Sequence, residues 1–260
     1  MSEAALDHFA REYARFRAEE GRGYRGQTLI SLPYIRTGPH AAQWAVRSRT
    51  FDAFMEEVLL PSAAQSAEPL SVLDLGAGNG WLSYRVGLEG HRAIALDVRN
   101  DAVDGLGAAD PFLKRAPFMT CLVASFDAVP LASESIDIAV FNASLHYATD
   151  LRGVLGEAQR VTKSGGQIAI LDSPFYGSEA EGAAMVAEKR RQFGARAELL
   201  MALPFIEFLT VERLRKTAPQ LTFVRHKVRY GLAYELRPLI AAIRGKRRPS
   251  RFDLWVARRP

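Results

Sequence analysis

The sequence predicts an α/β fold organised on a largely parallel sheet, and three observations point there. From Leu70 onward, short apolar runs of strand length alternate with helical segments, as crossover connections require. One of those runs, Val72-Leu73-Asp74-Leu75, passes directly into Gly76-Ala77-Gly78-Asn79-Gly80-Trp81, a glycine turn that opens a helix. An acid, Asp97, then closes the next apolar run, Ala93-Ile94-Ala95-Leu96.

Each element can be justified in chain order. Glu3 to Glu20 reads as an amphipathic helix, because Leu6, Phe9, Tyr13 and Phe16 recur at three- and four-residue spacing. Gly21 to Gly26 is turn-like, and Thr28 to Tyr34 is cut by Pro33. A long helical pattern, Ala41 to Leu60, carries Trp44, Val46, Phe51, Phe54, Val58 and Leu59, and Pro61 and Pro69 bracket its end. Strands are predicted at Ser71 to Leu75, Arg92 to Asp97, Met119 to Ala124, Ile136 to Phe141 and Gln167 to Leu171. Helical stretches between and after them are Gly80 to Leu88, Asp101 to Leu106, Leu151 to Thr162 and Ser178 to Phe193. Two more strand candidates, Leu221 to Val228 and Phe252 to Ala257, flank a helix at Tyr234 to Ile243. The chain therefore divides into residues 1–69, an N-terminal helical segment serving as lid or strap, and residues 70–260, the core with its C-terminal substrate-side elements.

Composition excludes several classes. With 260 residues, 48% of them apolar, the chain can bury one substantial interior. No run of eighteen uncharged apolar residues occurs, and Met1-Ser2-Glu3 opens into a charged stretch, so a soluble, cytoplasmic protein with no membrane partner is expected. Cys121, the one cysteine, cannot form an internal disulfide and reads as a strand residue. The net charge of +5 is concentrated near the C-terminus, where seven basic residues and one acidic residue lie between Arg244 and Arg259. No aromatic ladder or nucleic-acid motif accompanies them, which argues for a solvated surface and against a nucleic-acid partner. The histidines are scattered and no metal-ligand spacing appears, so no metal is expected.

The chemistry concentrates at the strand ends. Three alternate glycines let backbone approach a ligand where a Cβ would obstruct it. Trp81 stands where a dinucleotide fingerprint would have its third glycine, which weakens a pyrophosphate cradle. Asp74 adds a carboxylate at the turn, better suited to an amino group or a sulfonium. Asp97 can accept from both hydroxyls of a ribose, and Ser125-Phe126-Asp127 after the third strand offer polar atoms and a ring to an adenine.

With these residues in order, the segment from about Leu70 to Ser173 resembles the class I S-adenosylmethionine-dependent methyltransferases. Further points of resemblance are the strand Ile136 to Asn142 and Arg160-Val161-Thr162-Lys163-Ser164-Gly165-Gly166. The resemblance implies a Rossmann-like, seven-stranded, mostly parallel sheet flanked by helices, with S-adenosyl-L-methionine as cofactor and S-adenosyl-L-homocysteine as product. It implies that Asp74 and the glycine loop, Gly76, Ala77, Gly78 and Asn79, face the methionine portion, Asp97 the ribose, and Phe126 with Asp127 the adenine. Trp81, Leu82, Val98, Ser125 and Asn142 are further cofactor contacts. A sulfonium methyl is already activated, so in-line displacement by a small-molecule nucleophile mainly needs alignment. His146, with Tyr147, comes after the fourth strand and is the candidate base; a pocket wall is the alternative for both. Tyr24 and Tyr34, in the stretch before the core, and Phe175 and Tyr176, after the fifth strand, are the candidate acceptor contacts; Arg190-Arg191 could hold an acidic acceptor or simply be solvated. Asn142-Ala143-Ser144-Leu145 lacks the Asn/Asp-Pro-Pro-aromatic signature of enzymes that methylate planar exocyclic amines. A nucleic-acid or protein methyltransferase, and a noncatalytic nucleotide-binding protein, are the other readings.

Overall fold

The computed structural model describes residues 3–193 and 203–260. Seven strands form one sheet: β1 Ser71–Leu75, β2 Arg92–Asp97, β3 Met119–Val123, β4 Ile136–Asn142, β5 Thr162–Leu171, β6 Val224–His226 and β7 Leu254–Arg258. Their order is β3-β2-β1-β4-β5-β7-β6. β1 pairs in parallel with both β2 and β4, β2 with β3, and β4 with β5, whereas β7 runs antiparallel to β5 and to β6. The chain reverses its direction of travel across the sheet between β1 and β4, where an open α/β sheet leaves a crevice at the carboxyl ends of its strands.

Both faces of the sheet are covered, which is why its central strands are almost continuously apolar. Val72, Ala93, Ala95, Ile138, Val140, Ala169 and Leu171 face one side. There they meet Trp44, Phe51 and Phe54 of α3 (Ala41–Phe54) and Trp81 and Leu82 of α5 (Trp81–Leu88). Leu73, Leu75, Leu96, Ala139, Phe141, Ile168 and Ile170 face the other. They pack on Leu151, Val154, Leu155 and Ala158 of α7 (Leu151–Val161), whose N-cap Asp150 accepts from the Arg152 amide at 3.0 Å. α3 runs on through a π-helical turn, Met55–Leu59, into α4 (Leu60–Ala63).

Several boundaries differ from the sequence reading. No helix forms over Asp101 to Leu106, because the Asp101 carboxylate accepts from the amides of Val103 and Asp104 and turns the chain. A 3-10 turn, Leu106–Ala108, and α6 (Asp110–Leu113) come next instead. Gly26–Ile30 is a short helix, α2. β5 starts at Thr162, five residues before the predicted Gln167, and only Val224–His226 of the predicted Leu221 to Val228 is strand. Pro238 divides the last helix into α10 (Leu232–Glu235) and α11 (Arg237–Ile243), since its ring fits only a first helical turn. Ahead of them lie α1 (Glu3–Glu19), α8 (Glu179–Phe193) and α9 (Val211–Thr217). Among the described residues, no helix is long and apolar enough to cross a membrane.

Candidate active site

At the carboxyl edge of β1, β2, β4 and β5 lies a cavity of about 380 Å³. Its floor begins with the glycine turn. Gly76, Gly78 and Gly80 have φ of 77°, 58° and 79°, a region that side chains disfavour. The amides of Gly76 and Ala77 both donate to the Leu96 carbonyl, which ties the turn to β2. Asp97 holds the turn from the side: one carboxylate oxygen accepts from the Gly78 amide at 2.7 Å and the other from the Arg99 amide at 2.8 Å. Burial pushes the Asp97 carboxyl upward, and those two amides with the Arg99 charge oppose the shift. Ser125, Phe126 and Asp127 line the cavity next to it from the end of β3.

The other end of the cavity is built from β4 and β5. Asn142 closes β4, and its side-chain carbonyl oxygen is buried with no hydrogen-bond partner. His146 lies close to Ser173 (Nδ1 to Oγ, 3.4 Å) and tilts against Tyr147 at 4.3 Å between ring centres. Burial, reinforced by the charges of Lys189 and Arg47, pushes its pKa down to about 3, so the ring is neutral at pH 7. Asp172 follows β5 directly, in the left-handed region at φ 49°. Both of its carboxylate oxygens are buried without a hydrogen-bond partner, the nearby Thr50 hydroxyl being engaged with the Val46 carbonyl and Tyr230. Burial raises its pKa against the opposing charge of Arg47, which also lines the cavity.

A lid completes the enclosure. From α1, the Tyr13 hydroxyl meets the Tyr147 hydroxyl at 3.0 Å, and the Phe9 ring packs edge-on against Phe205 at 4.9 Å. Arg17 pairs with Asp104 at 2.5 Å, and Asp104 also accepts from the Asn79 side chain at 3.1 Å. The Arg99 guanidinium lies 4.9 Å from the Tyr13 ring centre.

The structure brings together most of the residues singled out in the sequence: Gly76, Ala77, Gly78, Asn79 and Trp81 at the turn, then Asp97, Val98, Ser125, Phe126, Asp127, Asn142, His146 and Tyr147 all line the cavity. Six do not. Asp74 lies on the face of β1 that meets α5, beneath the turn, where it accepts from the Ser83 hydroxyl at 3.2 Å. Leu82 faces the sheet and is fully buried in the core. Tyr24 stands behind Trp44, accepting from its indole N–H at 2.7 Å. Tyr34 is on the outer surface, donating to Asp52 with Arg85 over its ring. Phe175 stacks flat on Trp255 in the core, and Tyr176 packs on Phe208 under Arg247. Residues of α1, and none of the Tyr24 to Tyr34 stretch, line the cavity, and Asp172 and Pro174, not Phe175 and Tyr176, line it from the connection after β5. Arg190 and Arg191 are exposed on α8. Sequence reasoning missed Phe9, Tyr13 and Arg17 as pocket residues, although their four-residue spacing puts them on one helix face. It also missed Arg47, which stands one turn beyond Trp44. Among the described residues, no group of three or more His, Cys, Asp or Glu side chains could hold a metal ion.

Asp74 carries a pH consequence. Burial, partly offset by the Ser83 hydrogen bonds and reinforced by the Asp97 charge, pushes it up to about 7. A carboxyl whose pKa is higher folded than unfolded (about 3.9) binds more protons in the native state between those values, so it costs stability as pH rises from about 4 to about 7. Asp74→Asn should remove that loss. Urea unfolding at about pH 5 and about pH 8 is expected to show wild type losing a few kcal/mol that the variant keeps; equal pH dependence in both proteins would show Asp74 to be charged throughout.

A doubly covered parallel sheet, a glycine turn braced by an acid from the next strand, and a roofed cavity at the switch point define a Rossmann-like fold. Residues 73–170 match the family model described as a methyltransferase domain. The chain is 32% identical over 149 residues to a malonyl-[acyl-carrier protein] O-methyltransferase of Erwinia pyrifoliae, covering 55% of this chain and 52% of that protein. It is 31% identical over 113 residues to an uncharacterised methyltransferase of Mycobacterium bovis, covering 44% of this chain and 42% of the other. The chain thus spans about half or less of the length of these relatives. Among solved structures, geranyl diphosphate C-methyltransferase of Streptomyces coelicolor, in complex with Mg2+, geranyl diphosphate and S-adenosyl-L-homocysteine, superposes over 100% of this chain and 99% of its own with a TM-score of 0.61. At 14% identity that likeness concerns the fold alone.

Proposed function

We propose that the protein transfers the methyl group of S-adenosylmethionine to a small-molecule nucleophile enclosed beneath α1. The observation that carries this is the composition of one cavity: the glycine turn, Asp97 and Ser125-Phe126-Asp127 at one end, and the unpartnered Asp172 at the other. The residues fit the cofactor. Asp97 would hold the ribose, Phe126 and Asp127 the adenine, and the Gly76–Gly80 turn the methionine portion, with the unpartnered Asn142 oxygen buried beside it. When bound, the cofactor supplies an activated methyl on a sulfonium.

The chain's own residues then align and deprotonate the acceptor. Asp172 lines the cavity, and its raised pKa makes it a stronger proton acceptor than an ordinary carboxylate. It orients an acceptor hydroxyl or amine and takes the proton as the new bond to carbon forms. His146, held neutral, is a weaker base than an ordinary imidazole; it walls the acceptor and offers it one hydrogen bond. Tyr147 and Tyr13 close the roof and keep water out, which strengthens every polar contact inside. The roof also favours a small acceptor over nucleic acid. Arg247, Arg251 and Arg259, from the basic C-terminal cluster, are tied to Glu188, Asp253 and Glu134 of the chain itself, which leaves fewer of them for phosphates.

Calorimetric titration of S-adenosylmethionine and S-adenosylhomocysteine, with NAD as control ligand, tests the assignment, followed by a screen of hydroxyl and amine acceptors. Binding of the first two only is expected, and Asp172→Asn should keep that binding while losing transfer. Selective NAD binding, or none by folded protein, would overturn the proposal.

A further inference from the structure

The short helices α10 and α11 present their faces in the reverse of the usual order. Their polar and aromatic side anchors them to the body of the protein: Tyr234 packs on Tyr230 with ring centres 4.2 Å apart, Glu235 faces Arg251 at 3.5 Å, and Arg237 lies over Tyr234 while donating to the Ser250 carbonyl at 2.8 Å. Their apolar side points outward. Leu232 is 83% exposed, Leu239 58% and Ile243 78%, with Leu236 and Ile240 exposed between them. Backbone bonds from Leu236 to the Leu232 carbonyl and from Ile240 to the Leu236 carbonyl keep the two helices nearly continuous. At 100° per residue the five side chains therefore share an arc about 100° wide. An apolar stripe of this kind, exposed while the polar side is packed, marks a surface that something else covers.

The charges beside the stripe point to its occupant. Arg244, Lys246 and Arg248 are exposed at its C-terminal end, within a chain of net charge +5. The stripe contains only leucine and isoleucine, without the aromatic and methionine side chains that enrich protein interface cores. Aliphatic side chains on one side and cationic heads that can reach sideways from the end are the make-up of a helix lying in the plane of a bilayer surface. We propose that the α10–α11 face docks the protein on an anionic lipid surface, the leucines and isoleucines entering the acyl boundary and the three basic side chains meeting lipid phosphates.

Sedimentation of the full chain with vesicles tests this. Wild type should pellet with equimolar phosphatidylglycerol and phosphatidylcholine, far less with phosphatidylcholine alone, and less as salt increases. Combined Arg244→Gln, Lys246→Gln and Arg248→Gln should weaken partitioning roughly fivefold per charge, and Leu232→Ser with Ile243→Ser should abolish it. All variants should melt at the wild-type temperature, since none of these side chains is buried. Equal pelleting with both vesicles, no pelleting of wild type, or variants that bind as wild type does would overturn the proposal. So would concentration-dependent self-association, seen without vesicles and abolished by the two serine substitutions, because a second copy would then be the occupant. None of these outcomes depends on cofactor binding, so this proposal and the methyltransferase assignment fail separately.

Discussion

Asp97→Ala should lose S-adenosylhomocysteine affinity by roughly 10²- to 10⁴-fold. Two ribose hydroxyls donating to one buried carboxylate contribute about 1.5–3 kcal/mol each, which converts to that range. A further loss arises in the protein itself. The same carboxylate braces the glycine turn through the Gly78 amide and the start of the next loop through the Arg99 amide, so its removal leaves two donors without their acceptor. Calorimetric titration reads the affinity, and a melting curve shows that the variant is folded. A folded variant that binds as tightly as wild type would remove Asp97 from the site.

Gly76→Ala should be among the most damaging single substitutions outside the apolar core. Its φ of 77° is strained for any side chain, and the added Cβ would stand 2.5 Å from Ser144 Cβ. Ser144 cannot step aside freely, because its hydroxyl donates to the Leu75 carbonyl at 2.5 Å. Left-handed strain of about 1–2 kcal/mol and overpacking of about 1–3 kcal/mol together predict a loss of about 2–5 kcal/mol. For a chain of this size that lowers the melting temperature by roughly 5–20 °C. Gly156→Ala supplies the contrast: it lies in α7, and its Cβ would meet nothing within 4 Å. Its melting temperature should rise, by up to about 1 kcal/mol of stability. If the two alanines behave alike, local packing at the turn is not what makes Gly76 necessary.

The contrast between these glycines also shows what a sequence discloses. The parallel strands could be read because both faces of the sheet are buried, which leaves near-continuous apolar runs such as Ile138 to Phe141. The turn could be read because three positive φ angles demand glycine at alternate positions. β6 could not: Val224 and Arg225 are exposed on an edge strand, and burial imposes no pattern there. The helix expected after Asp101 failed for a local reason, since one carboxylate captured the amides that a first helical turn would have left open. The lid was half legible. An amphipathic α1 was evident from its spacing, but whether Tyr13 covers the site or merely packs on the sheet is decided by Tyr147, 134 positions away. Asp74 and Asp97 look equivalent as acids at or near strand ends and share one face of the sheet, yet Asp74 sits within β1 beneath the turn whereas Asp97, at the last position of β2, stands beside it.

Asp104 joins the roof of the cavity to its floor. One of its oxygens holds Arg17 of α1, and the other holds Asn79 within the glycine turn. Swinging α1 away breaks the first contact and frees the carboxylate to turn, which loosens the second. A single carboxylate thereby latches the helix above the cavity to the loop beneath it, and any displacement of the one is felt by the other.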